Sequence, residues 1–158
     1  MAWTIVNFGR FRGKNMTLPQ ILFTDPDWFF YLMEQGAFER REALTEEAWD
    51  IYEKAKRIRI PTKPGERLVA VYYLQPLINK LARVEVVPQD QMRHEGGSPS
   101  YRRGVFDMAF PRQIASYDKT GGRILIWDLK DYLFGSPYYR MTKKRAEAFF
   151  DNPDNFLL

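Results

Sequence analysis

Pro61-Thr62-Lys63-Pro64-Gly65-Glu66-Arg67-Leu68-Val69-Ala70-Val71-Tyr72-Tyr73-Leu74 is the stretch on which the character of the chain turns. Two prolines and a glycine cannot extend a helix, so residues 61–65 mark a turn and the clearest internal boundary. The run after it is rich in Val, Tyr and Leu, which suits a strand over residues 68–74. Upstream of the turn the spacing is helical. Ala48, Ile51, Tyr52, Ala55 and Ile58 recur at helical intervals behind Thr45, with Asp50/Lys54 and Glu53/Arg57 as favourable i, i+4 pairs, so a helix is expected from Thr45 until Pro61 stops it. Farther upstream, Asp25-Pro26-Asp27 supplies an N-cap, a first-position proline and a second acid, and Gly36 a stop, which predicts a helix over residues 26–35. Residues 17–23 suit a short helical turn, and residues 3–8 a short strand.

Downstream the sequence predicts strands at residues 82–87, closed by Pro88, at 104–110, and at 123–127 after the turn Lys119-Thr120-Gly121-Gly122. Residues 89–103 are polar and contain Gly, Ser and Pro, and are expected to form an exposed loop. Thr142 caps a last helix ending near Phe150, and the tail is expected to dock through Phe156, Leu157 and Leu158. The fold class that follows is α+β, with N-terminal helices, an antiparallel sheet of about four strands and a C-terminal helix. Residues 1–60 would form a turn-and-helix module and residues 65–158 the sheet region, packed as one unit.

A chain of 158 residues suits one such unit, and 45% hydrophobic with 28% charged residues is ordinary globular usage. Aromatics are dense, with 12 Phe, 9 Tyr and 4 Trp, and large rings strengthen a small core. The absence of cysteine removes disulfides, thiolate nucleophiles and Cys-based metal sites. The opening residues lack a basic segment followed by a long apolar run, and no stretch of ~18 apolar residues occurs, so a cytoplasmic protein without a membrane partner is the expectation. The charge of +4 concentrates toward the C-terminus: residues 96–158 hold ten basic and seven acidic side chains. That bias permits a nucleic-acid partner without requiring one.

The most specific signal lies near the N-terminus. Phe8-Gly9-Arg10-Phe11-Arg12-Gly13-Lys14, then Thr17-Leu18 and the run from Asp25-Pro26-Asp27-Trp28 to Met33, resembles the small exonuclease X-like C-terminal module over residues 4–38. That family carries an FGK-x-KGK-type turn and a helix beginning DPDY, with a tryptophan three residues later. Here arginines stand at 10 and 12, Trp28 replaces the tyrosine and Tyr31 the tryptophan, which keeps charge and aromatic character. The family's module occurs attached to DNA-processing enzymes and also alone, so the resemblance implies a connection with DNA or RNA. The residues themselves allow this: Arg10, Arg12 and Lys14 on a glycine turn can meet phosphates, and Phe11 can stack on a base. The same spacing also fits a small aromatic core of Phe8, Phe11, Trp28 and Tyr31 with solvated charges around it.

A second basic group, Arg140, Lys143, Lys144 and Arg145, stands at the start of the last helix beside Tyr138 and Tyr139. Its cations and the helix N-terminus would both attract a phosphate-bearing partner, and a solubilising face accounts for them equally. Catalytic groups are few. His94 is the single histidine, which excludes a His dyad or a multi-histidine metal site. Arg123-Ile124-Leu125-Ile126-Trp127-Asp128-Leu129-Lys130 resembles the second half of the PD-(D/E)xK nuclease motif. In that chemistry a strand-end carboxylate holds Mg²⁺ and a lysine two residues on shares its face. Asp107 could supply the first carboxylate, with Glu39 or Glu42 as a helical acid. No Walker loop, dinucleotide fingerprint or serine-hydrolase elbow occurs. Three readings follow: a non-enzymatic nucleic-acid-associated accessory protein without a cofactor, using Arg10, Phe11, Arg12, Lys14 and the 140–145 cluster; a Mg²⁺-dependent nuclease using Asp107, Asp128 and Lys130; and a module whose aromatics meet a protein partner.

Overall fold

Helices α1 (Leu18–Thr24), α2 (Pro26–Glu34) and α3 (Glu42–Ala55) build the first part of the chain, and the strands follow. The computed structural model describes residues 2–92 and 100–158. Strands β1 (Ile58–Arg59) and β5 (Val105–Phe106) pair antiparallel as a small ribbon, while β2 (Leu68–Leu74), β3 (Leu81–Pro88) and β4 (Ser100–Arg103) form an antiparallel sheet in the order β3-β2-β4. A short α4 (Phe110–Gln113), a long α5 (Gly121–Phe134) and α6 (Lys143–Asp151) complete the fold. The class is α+β, and among the described residues the strands divide between two small sheets instead of one sheet of four. No helix among them is long and apolar enough to cross a membrane.

The capping chemistry explains why α2 and α6 begin where they do. The Trp28 N–H donates to the Asp25 side chain at 3.2 Å, with Pro26 at the first helical position. Thr142 accepts from the Arg145 N–H at 3.2 Å. α3 begins three residues earlier than expected, because the Thr45 hydroxyl points back to the Phe38 and Arg41 carbonyls from within the helix instead of capping it. It ends at Ala55, and Ile58, expected on its buried face, is buried instead in β1 against Phe106.

Other expectations are corrected as well. Residues 3–8 form no strand: Ile5 makes a lone bridge to Thr17, and a 3-10 turn follows at Gly9–Phe11. Residues 100–103, read as loop, pair with β2, while residues 107–110 leave the expected strand to turn into α4. His94 lies outside the described residues. The largest change is at 123–127, where a β-branched, aromatic run is helical within α5. Leu125, Ile126 and Leu129 lie buried on one face, a spacing only a helix gives, and packing against β3 and α1 overrides the local strand preference. Gly135, with φ +82°, closes the helix in the left-handed conformation.

One apolar core runs through both parts of the chain, from Trp3 and Leu22 to Tyr72, Phe106 and Phe156. Tyr72 is the joint: its ring stacks on Phe110 at 4.4 Å, and its hydroxyl accepts from the Asp107 N–H at 2.7 Å while donating to the Asp107 carbonyl at 3.2 Å. Burial raises the Tyr72 phenol far above its ordinary range, so this link keeps its proton. Phe156 docks the tail by bridging to Ile58, but Leu157 and Leu158 stay exposed.

Candidate nucleic-acid interface

Trp127 lies on the outer face of α5, opposite the Leu125 and Leu129 stripe, and is 48% exposed. Tyr138, in the connection to α6, is 78% exposed and meets Trp127 edge to face with ring centres 4.9 Å apart. Local chemistry sets this pair. The Ser136 hydroxyl accepts from the Tyr138 N–H at 3.1 Å, which folds the connection tightly after Gly135. Tyr139 turns inward instead and stacks on Phe134 at 4.7 Å. Arg145 covers the Tyr139 ring at 4.8 Å and donates to the Arg140 carbonyl at 2.9 Å, so its guanidinium is fixed at the base of the connection. Arg140 and Lys144 are exposed and Lys143 is half-buried; among the described residues these three form no ion pair.

The N-terminal turn resolves differently. Phe11 is 4% exposed and packs edge to face on Trp28 at 4.9 Å, so it belongs to the core and cannot stack on a base. Phe8 joins the same cluster against Trp28 and Phe38, whereas Tyr31 is exposed. Arg10 pairs with Asp25 and lies over the Phe11 ring at 5.1 Å, which ties the turn to the start of α2. Arg12 and Lys14 remain exposed, and among the described residues neither forms an ion pair. The turn is anchored to the second basic group through α1 and α6: the Thr17 hydroxyl donates to Glu147 at 2.7 Å, and Gln20 to the Met141 carbonyl at 3.4 Å.

Family models, curated proteins and solved structures yield no match to this chain. Its functional reading therefore rests on the residues and their geometry.

The geometry assumed for a nuclease site is not met. Asp128 and Lys130 lie two residues apart on a helix, which turns them about 200° from one another, so they do not share a face as they would on a strand. The Asp128 carboxylate accepts the Val84 N–H at 2.7 Å, and burial raises its pKa despite that bond. Lys130 is lowered by burial. Asp107 is committed elsewhere: Arg102 donates to it at 3.0 Å, and the Ala109 N–H at 2.8 Å caps the turn into α4. Among the described residues, no three of the His, Asp and Glu side chains gather as a metal site.

Both Asp128 and the buried Asp118 serve the sheet instead. β3 is an edge strand, and its Leu81 and Val84 N–H groups would otherwise lack acceptors; Asp118 takes the first at 2.8 Å and Asp128 the second. The sequence reading missed Trp127 as a surface residue because it lay inside the supposed strand. The helical recurrence of Leu125, Leu129 and Leu133 ahead of Gly135 was the signal that would have exposed it.

Proposed function

We propose that this chain is a non-enzymatic, nucleic-acid-associated accessory protein that stacks unpaired bases on Trp127 and Tyr138 and meets the phosphate backbone with Arg140, Lys143, Lys144 and Arg145. The observation that carries this reading is the exposed Trp127–Tyr138 pair beside a cationic helix start, since stacking rings within a basic surface are what single-strand binding requires. Arg12 and Lys14 extend the basic surface, whereas Arg10 and Phe11 hold the turn together. The resemblance to the exonuclease X-like module points the same way.

Fluorescence anisotropy with a labelled single-stranded oligonucleotide at two salt concentrations tests it, with Mg²⁺ present in one arm and the strand checked for cuts. Binding should weaken steeply with salt. Trp127→Ala or Tyr138→Ala should cost about tenfold in affinity each. Lys144→Gln should lower the salt slope by about one. No binding at low salt, or binding indifferent to both ring substitutions, would overturn the reading.

A protein partner is the second reading. It is favoured by the half-exposed Trp49, which stands against Tyr52 at 5.3 Å and beside Glu42, Glu46 and Asp50, an acidic setting that repels phosphate and suits a basic protein segment.

A further inference from the structure

Arg59 and Arg67, near one another in sequence, and the distant Arg103 line one cleft of about 280 Å³ between the β1–β5 ribbon and the end of the main sheet. Strand register gathers them. Arg59 lies opposite Val105, Arg103 precedes that residue by two and faces Val69, and Arg67 immediately precedes β2. The turn at Gly104, with φ +73°, lets the chain pass from β4 to β5 at the cleft wall; its N–H donates to the Leu68 carbonyl and its carbonyl accepts from Ile60. Arg59 is held in place by the tail, donating to the Asp154 and Phe156 carbonyls at 3.2 and 3.3 Å.

Arg59 has its carbonyl partners and Arg103 lies 5.8 Å from the Tyr101 ring, but acidic compensation among the described residues is slight. Among the described residues Glu66 is the one acid on the cleft wall, and it accepts the Lys63 N–H at 3.0 Å. Among the described residues Arg67 and Arg103 form no ion pair. Like charges brought together in one cleft repel, and a ligand that bridges them relieves the cost. Planar guanidinium forks match the oxygens of phosphate, and the cleft is small for an organic ligand but adequate for a compact oxyanion. We infer that the cleft formed by Arg59, Arg67 and Arg103 binds a multiply charged phosphate group, either free or as the phosphate end of a nucleotide. This site is separate from the Trp127–Tyr138 surface and does not depend on it.

Isothermal titration of the full chain with inorganic pyrophosphate and, separately, with ADP tests the inference at fixed ionic strength. Saturable binding of pyrophosphate is expected, and Arg67→Gln and Arg103→Gln should each weaken it about tenfold or more, since each removes a charge-assisted contact. Arg103→Lys keeps the charge without the fork and should fall between Arg103→Gln and the native chain. Arg40→Gln, an exposed cation outside both basic surfaces, should bind as the native chain does. Equal affinity for both probes identifies the phosphate alone as the ligand, and tighter ADP binding identifies a nucleotide. Absence of binding to either probe, or unchanged affinity in both the Arg67→Gln and Arg103→Gln variants, would overturn the assignment.

Discussion

Asp118→Ala should be among the most damaging single changes to a polar side chain in this protein. Asp118 is buried and uses both oxygens: Oδ2 accepts the Leu81 N–H at 2.8 Å, and Oδ1 accepts the Thr120 N–H at 2.9 Å and the Thr120 hydroxyl at 3.1 Å. Alanine leaves two backbone donors without acceptors, one at an otherwise open sheet edge and one at the start of α5. The buried Leu81 donor costs about 1–3 kcal/mol and the exposed Thr120 donor, which water can reach, less, so the loss should total roughly 2–4 kcal/mol. In a domain of this size that corresponds to a fall of about 10 °C in Tm. Asp118→Asn should rescue only part of this, because both oxygens face N–H donors and the new amide must turn its NH₂ toward one of them. Urea unfolding followed by circular dichroism checks the prediction, with a lower midpoint and an unchanged slope. A loss below about 1 kcal/mol for Asp118→Ala, or an Asn variant as stable as the native chain, would show that the carboxylate does not close the edge of β3.

Gly9 has φ +64°, and a Cβ there would lie 2.9 Å from the Trp28 ring. Gly9→Ala should therefore cost about 1–2 kcal/mol from the backbone alone and also displace Trp28, read as a lower urea midpoint with an altered near-ultraviolet dichroism. Asp128 gives a pH prediction. Its carboxyl is raised above 3.8 by burial, so the native state holds that proton more tightly than the unfolded chain does. The resulting contribution to stability is complete below the unfolded value and is lost as pH rises through the native one. Asp128→Asn keeps an acceptor for the Val84 N–H without the buried charge, so its urea midpoint should gain on the native chain across that rise. A difference that stays flat with pH would refute this.

Local sequence signals were sufficient wherever neighbouring residues decide the conformation. The caps at Asp25 and Thr142 start their helices as expected, β2 spans the Leu68–Leu74 run, and the Asp50/Lys54 and Glu53/Arg57 pairs form. These depend on contacts within a turn or two, or on a strongly strand-forming run. The same holds for the α+β class, which the turn at residues 61–65 announces.

What the sequence could not decide required partners distant along the chain. Residues 123–127 favour a strand locally, yet they become helix because the Leu125–Leu129 face gains more by packing on β3 and α1. That single change separates Asp128 from Lys130, gives Asp128 to Val84 and brings Trp127 out beside Tyr138. Phe11 packs inward for a similar reason: its spacing is visible in the sequence, but whether its ring faces water or Trp28 depends on how the turn folds over α2. The arginine cleft shows the limit most plainly. Arg59, Arg67 and Arg103 share no motif, and only strand register and the docked tail bring their charges to one place. Composition and local spacing determined which groups the protein has; tertiary packing decided which of them face solvent, and beside what, because burial and proximity depend on residues far apart in the chain.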